Sequence, residues 1–188
     1  MKKGERTKQI ILDTATQLIA EKGFKGTTVS EVVKAAGYTQ AAFYLHFKSK
    51  DDLLAEIVDT FEVRLAALTD ASKTLRDPSG KLEEEMPRTY TAIFTFLGDH
   101  SNELKIVLAS EQGIKVRKKI TDILSANMKM HQANGAVRGD VDPNLLAEAI
   151  TASIEQLTYQ YLVTGEKTAE ELGKQTAFLY LYGMIKNK

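Results

Sequence analysis

Lys50 is the residue whose position first asks for a chemical explanation. Ser49 and Asp52 form an S-x-x-D capping pattern, so Lys50 reads as the first residue of a helix. The helix macrodipole disfavours a cation there by about 0.3–1 kcal/mol. An anion docked at that N-terminus, held by free backbone N–H groups and the ammonium together, would reverse the sign of that cost, and on nucleic acid the anion is a phosphate. Just upstream, Gly37 reads as a left-handed helix stop and Thr39 as the cap of a helix of barely two turns. Helical periodicity puts Phe43 and Phe47 on one side of it and Gln40, Ala41, Tyr44 and Leu45 on the other. An outward face of that composition needs a partner, and the stretch Gly37 to Leu54 looks like a DNA-reading element.

Other chemistry finds little support. The three histidines, His46, His100 and His131, lie far apart in the chain and form no H-E-x-x-H pattern, so no metal site is expected. No phosphate-binding glycine loop, nucleophile elbow or dinucleotide fingerprint is present. The adjacent carboxylates, Glu83 to Glu85 and Asp51-Asp52, are more simply solvated charges at helix starts. The expectation is no enzyme and no cofactor.

Composition narrows the class further. With 188 residues, 43% hydrophobic and 27% charged, the chain can bury one good core with a small N-terminal subdomain beside it. Its formal net charge of zero hides an asymmetry: residues 1–50 hold 9 Lys+Arg against 4 Asp+Glu, and the rest hold 16 against 21. The basic end is the end with the outward helix, as nucleic-acid binding requires. The absence of cysteine fits a reducing compartment. The N-terminal MKKGERTKQ runs into an amphipathic helix, not an apolar leader, and Phe178 to Ile185 falls short of the ~20 residues that span a bilayer. A cytoplasmic protein without membrane association is expected.

The elements that must position the outward helix come next. Ile11, Leu12, Ala15, Leu18 and Ile19 predict a helix over 6–22, closed by Gly23-Phe24. Thr28-Val29-Ser30-Glu31 is a capping box opening a second helix with Val29, Val32, Val33 and Ala36 on one stripe. The outward helix is the third. Three short helices with a tight glycine turn between the last two make a helix-turn-helix unit. A generic three-helix corner of an all-α domain has the same periodicity; the basic charge and Lys50 favour the DNA-binding reading.

These residues resemble the tetracycline-repressor-type (TetR) family of bacterial transcriptional regulators. The resemblance rests on Arg6, Ile11, Ala15, Leu18, Gly23, Thr28-Val29, Ala36-Gly37, Phe43-Tyr44, His46-Phe47, Ser49-Lys50 and Leu53-Leu54, and fades beyond residue 55. It implies a helix-turn-helix DNA-binding domain over 1–50 and an effector-binding and dimerisation domain over 51–188. It also implies a homodimer on a palindromic operator, released as a repressor by a small-molecule effector of unknown identity. By that resemblance Gln40, Ala41 and Ala42 face base edges, and Thr28, Thr39, Tyr44, His46 and Lys50 face phosphates. Gln40 alone of the base-facing three can hydrogen-bond, best to adenine N6/N7, while an alanine methyl can meet a thymine methyl. Leu45 departs from the usual pattern; a thymine methyl or a sugar is its expected contact. Lys2, Lys3, Arg6 and Lys8 are either further phosphate contacts or a solvated tail.

Beyond the head, a fourth helix runs from Lys50 toward Thr74, and Asp77-Pro78 starts a fifth in which Pro87 should produce a kink or a restart, the kink being favoured. A short helix from Asn102 to Glu111 ends near Gly113, and a longer one covers 115–134. Asp142-Pro143 opens a helix to about Val163, and Thr168 caps a last one to about Lys186. The chain is therefore all-α, with about nine helices and no convincing strand. The last helix is apolar on nearly every side; it is either fully internal to one chain or, as expected here, covered by a second copy over Ala149, Ala152, Ser153, Leu157, Phe178, Leu179, Tyr182 and Ile185. The family's effector pocket would draw on Phe61, Leu65, Met86, Tyr90, Phe94, Leu108, Met128 and Tyr159, though such stripes equally make plain core. A helical protein-interaction module without DNA binding is the rival reading; it accounts for the apolar C-terminus but not for the basic head.

Overall fold

The computed structural model describes residues 3–71 and 82–183. Nine α-helices and one π-helical turn make up the regular structure of the described residues. They are α1 (Lys3–Lys22), α2 (Val29–Ala36), α3 (Gln40–Tyr44), α4 (Lys50–Ala71), α5 (Leu82–Asp99), α6 (Ser101–Leu108), α7 (Glu111–Ala133), α8 (Pro143–Leu157) and α9 (Ala169–Tyr182), with the π turn at Thr158–Leu162. The helix start proposed at Asp77-Pro78 lies outside the described residues.

Two compact units divide the chain. The first comprises Met1–Val63 and Asn102–Val116, the second Arg64–Ser101 and Arg117–Lys188. In the first, α1, α2 and α3 pack on one another. Ile11, Ala15 and Ile19, spaced at i, i+4 and i+8, are buried on α1, and Val32, Val33, Phe43, Phe47, Leu53 and Leu54 are buried on the elements that follow. Caps fix where each helix starts. Thr28 accepts from the Glu31 amide while the Glu31 carboxylate accepts from the Thr28 amide, and Thr39 accepts from the Ala42 amide at 3.2 Å. Gly37, at φ 75°, makes the left-handed stop between α2 and α3.

Gly113 is the clearest departure from expectation. It lies inside α7 and not at a helix end, because Ser110 caps α7 early: its Oγ accepts from the Gly113 amide at 3.0 Å. A Cβ at Gly113 would land on the Val107 carbonyl oxygen, so the glycine allows α7 to start immediately after α6. The second unit holds a similar device. α5 and α9 pack along each other, and a Cβ at Gly173 would stand 2.5 Å from the Thr91 backbone nitrogen and 2.6 Å from its Cα. α5 itself continues through Pro87 without a restart. The α8 helix ends in the π turn at Thr158, a fully buried residue whose hydroxyl donates to the Ile154 carbonyl at 2.8 Å.

Polar bonds join α7 to α8 within the second unit. Arg117 donates to Glu148 and Glu155 at 2.9 and 3.2 Å, and Ser125 donates to Asn144 at 2.6 Å. The two carboxylates raise the Arg117 pKa against an opposing effect of burial, which is the largest single contribution. At the C-terminal end of α7, His131 is only 2% exposed and its Nδ1 has no hydrogen-bond partner.

Candidate nucleic-acid interface

The outward face of α3 forms as its periodicity predicts. Phe43 and Phe47 are each 1% exposed and their rings meet at 5.3 Å, which fixes α3 from below. On the opposite side Gln40, Ala41, Tyr44 and Leu45 are exposed, Leu45 at 83%. Ala42 and His46 are half-buried. The apolar floor orients the helix, and the short side chains at 41 and 42 let its backbone approach a groove closely.

Hydrogen bonding separates the phosphate candidates. Thr39 spends its oxygen lone pair on the Ala42 amide, which leaves the hydroxyl proton free to donate outward. Thr28 is differently placed: its hydroxyl donates to Glu31 Oε2 at 2.9 Å and accepts from the Glu31 amide. The Glu31 carboxyl is held below its ordinary pKa, first by the Thr28 amide, then by the Thr28 hydroxyl and Lys22. A phosphate reaching Thr28 would therefore have to displace a carboxylate. Lys8, one of the tail cations, pairs with Glu56 at 2.6 Å and lies 5.5 Å from the Phe47 ring centroid, so it is part of the fold; Arg6 is exposed. Lys2 lies outside the described residues.

Lys50 starts α4 as expected, but its ammonium turns inward. Nζ donates to the Phe24 carbonyl at 2.7 Å and to the Thr27 carbonyl at 2.8 Å, and stands 4.1 Å from the Phe24 ring centroid. Two carbonyl dipoles and a ring face therefore satisfy the cation, and its place at a helix start does not require a phosphate. The first turn of α4 also carries Asp51 and Asp52; Asp52 accepts from the Lys48 amide at 2.9 Å. Two residues at this end had no local pattern to mark them. Thr27 is fully buried, its hydroxyl donating to the Leu18 and Gly23 carbonyls, and Lys48 is exposed beside the reading helix.

The remaining site candidates fall in both units. Of the pocket set, Phe61 and Leu108 belong to the first unit and Leu65, Met86, Tyr90, Phe94, Met128 and Tyr159 to the second. Leu108 is exposed, Phe61, Leu65, Tyr90 and Phe94 are buried, and Met86, Met128 and Tyr159 are half-buried. Tyr90 stacks on Tyr180 at 6.1 Å, and burial followed by that neighbour pushes its phenol pKa upward. Of the dimer set, Phe178, Leu179 and Tyr182 are exposed at 63%, 47% and 44%, and Ala149 and Ala152 are exposed on α8. Leu157 is half-buried. Ser153 bonds within the chain, to Tyr180 Oη at 2.8 Å. Ile185 lies outside the described residues. Lys174, Gln175, Phe178, Leu179 and Gly183 line a shallow groove of about 440 Å³ on α9.

Comparison with known proteins agrees with this geometry. The family model described as bacterial regulatory proteins, tetR family, matches residues 11–57. The HTH-type transcriptional regulator YdgC of Bacillus subtilis is 30% identical over 187 residues, spanning 97% of this chain and 95% of that protein. Among solved structures, the transcriptional regulator FadR of Bacillus subtilis in complex with stearoyl-CoA superposes with a TM-score of 0.72 at 20% identity, covering 94% of this chain and 99% of that one. AibR in complex with isovaleryl coenzyme A and operator DNA gives 0.74 at 21% identity, covering 93% and 98%.

Proposed function

Because the chain belongs to the tetR family of bacterial regulatory proteins, we propose that it works as a dimeric repressor that a small acyl-type effector releases from a palindromic operator. The observation that carries the DNA half of this reading is the α3 face: Gln40, Ala41, Tyr44 and Leu45 stand exposed on a helix whose underside is locked by Phe43 and Phe47. Gln40 reads an adenine edge, Ala41 and Ala42 pack on base edges, and Leu45 meets a thymine methyl or a sugar. Thr39, Tyr44, His46 and, with the carboxylate displaced, Thr28 take phosphates.

The dimer reading is supported by the apolar side chains left uncovered on α9 and by the exposed small residues of α8. An acyl effector is supported by two structural relatives that hold acyl coenzyme A esters, and by the apolar character of Leu65, Met86, Phe94 and Met128. α4 is the covalent route from effector to DNA, carrying Leu65 in the second unit and starting beside the reading helix in the first. Coupling follows if the effector prefers one arrangement of that helix.

The test is fluorescence anisotropy on DNA from the region around the chain's own gene, titrated with isovaleryl-CoA, stearoyl-CoA and free coenzyme A. Saturable binding to one palindromic fragment, weakened by an acyl ester and not by free coenzyme A, is expected. Unchanged operator affinity at saturating ester would remove the acyl effector while leaving the DNA reading intact.

A further inference from the structure

The bonds of Lys50 enclose a particular piece of chain. They join residues 26 and 23 positions apart, and the segment between them, from Phe24 to Lys50, contains α2, the Gly37 turn and α3 and nothing else. The helix-turn-helix is thus closed at its base, where the chain enters α2 and where it leaves α3 for α4.

The receiving side is itself rigid. Gly23 turns the chain at φ 79°, and a Cβ at Gly26 would stand 2.5 Å from the Lys22 carbonyl oxygen. Thr27 is fully buried and ties its hydroxyl back to Gly23 and Leu18 at 3.0 and 3.3 Å. These bonds leave the Phe24 and Thr27 carbonyls converging on one ammonium, with the Phe24 ring alongside. A carbonyl pair on a fixed turn is a good anchor because it costs little further ordering when the lysine binds. Thr28, the cap of α2, follows directly after the anchored Thr27 carbonyl.

We infer that Lys50 is a positioning residue for operator recognition: it latches the chain leaving the reading helix onto the α1–α2 turn, and it does not itself neutralise a phosphate. This rests on the DNA-binding reading of α3. Cations that add to the salt dependence at this end are instead exposed ones such as Lys48. Its side chain makes no ion pair or hydrogen bond among the described residues.

The two roles separate in salt dependence and in sequence dependence. A phosphate contact contributes about 0.9 to the slope of log K against log salt for each half-site and weakens binding to all DNA alike. A latch holds the register of α3, so its loss falls on the operator and leaves non-specific binding and the slope in place. Binding isotherms for the full chain, on operator and on scrambled DNA at several salt concentrations, would compare wild type with Lys50→Met, Lys50→Arg and Lys48→Ala. The expected result is an operator Kd raised about tenfold in Lys50→Met, with its slope and scrambled-DNA affinity unchanged, the size expected from losing charge-assisted hydrogen bonds. Lys50→Arg keeps the charge, but its planar fork does not reproduce a point donor between two carbonyls and a ring, so operator affinity should stay low. Lys48→Ala should lower the slope.

A Lys50→Met slope reduced by about 0.9 per half-site, with equal weakening on scrambled DNA and recovery in Lys50→Arg, would overturn the latch. Should Lys50→Met lose its helical circular dichroism, Lys50→Arg decides alone: wild-type operator affinity there refutes the latch, and weakened affinity with an intact slope supports it. Wild-type protein that bound operator and scrambled DNA equally would instead fail the DNA-reading assignment of α3 and not the latch.

Discussion

Replacing Gly173 by alanine perturbs the second unit where α9 lies close against α5. The added Cβ would face the Thr91 nitrogen at 2.5 Å and the Thr91 Cα at 2.6 Å. Ordinary carbon contacts begin near 3.4 Å, so α5 and α9 must separate by roughly 1 Å at this point. The Thr91 Oγ1 also lies against the added carbon and can rotate away, but the Thr91 backbone atoms beside it cannot. Leu172, Thr176 and Ala177 on α9 and Tyr90 and Phe94 on α5 are buried and would loosen with the same movement. Overpacking of this kind costs about 1–3 kcal/mol, and the upper end applies here. In a chain of this size that lowers Tm by roughly 6–12 °C, from about 2–4 °C per kcal/mol. Thermal and urea unfolding followed by circular dichroism, at equal protomer concentration, would measure it. Gly139→Ala is the control, since nothing lies within 4 Å of a Cβ there and its φ needs no glycine. If Gly173→Ala were as stable as the control, the close approach of α5 and α9 would be wrong.

Gln40→Ala should cost about 1–3 kcal/mol of operator binding at a single base pair of each half-site, and a panel of single-base operator variants would check it; equal loss on every variant would remove Gln40 from base reading. Phe178→Glu places a charge on the exposed apolar side of α9 and should shift the chain from dimer to monomer in light scattering while the circular dichroism is kept. His131 has its pKa lowered by burial, so below its ordinary value of 6.5 the unfolded chain takes a proton that the folded chain resists. Stability should therefore fall as pH drops below 6.5 and be unaffected by this group well above it. In His131→Leu the urea midpoint should depend less on pH over that range, and an unchanged pH dependence would exclude the histidine as its source.

Much of the fold was legible because its signals are local. Thr28 with Glu31, Thr39, Ser49, Asp142 and Thr168 announce helix starts within four residues of themselves, and a left-handed glycine marks a helix that ends at the residue before it. The burial of Phe43 and Phe47 beneath an exposed Gln40, Tyr44 and Leu45 follows from helical periodicity alone. That was enough to place the outward face of α3 and the apolar surplus of α9.

The sequence by itself determined where helices start and which face of α3 looks outward, since each depends on residues a turn or two apart, and its charge count determined that the basic residues gather at that same end. Tertiary structure alone decided what Lys50 bonds to, because its partners are 26 and 23 residues away and a backbone carbonyl carries no mark in the sequence. It decided equally that Gly113 and Gly173 are contact points. A glycine that ends a helix and a glycine that admits a neighbouring backbone are the same letter, and only the atoms across the interface tell them apart.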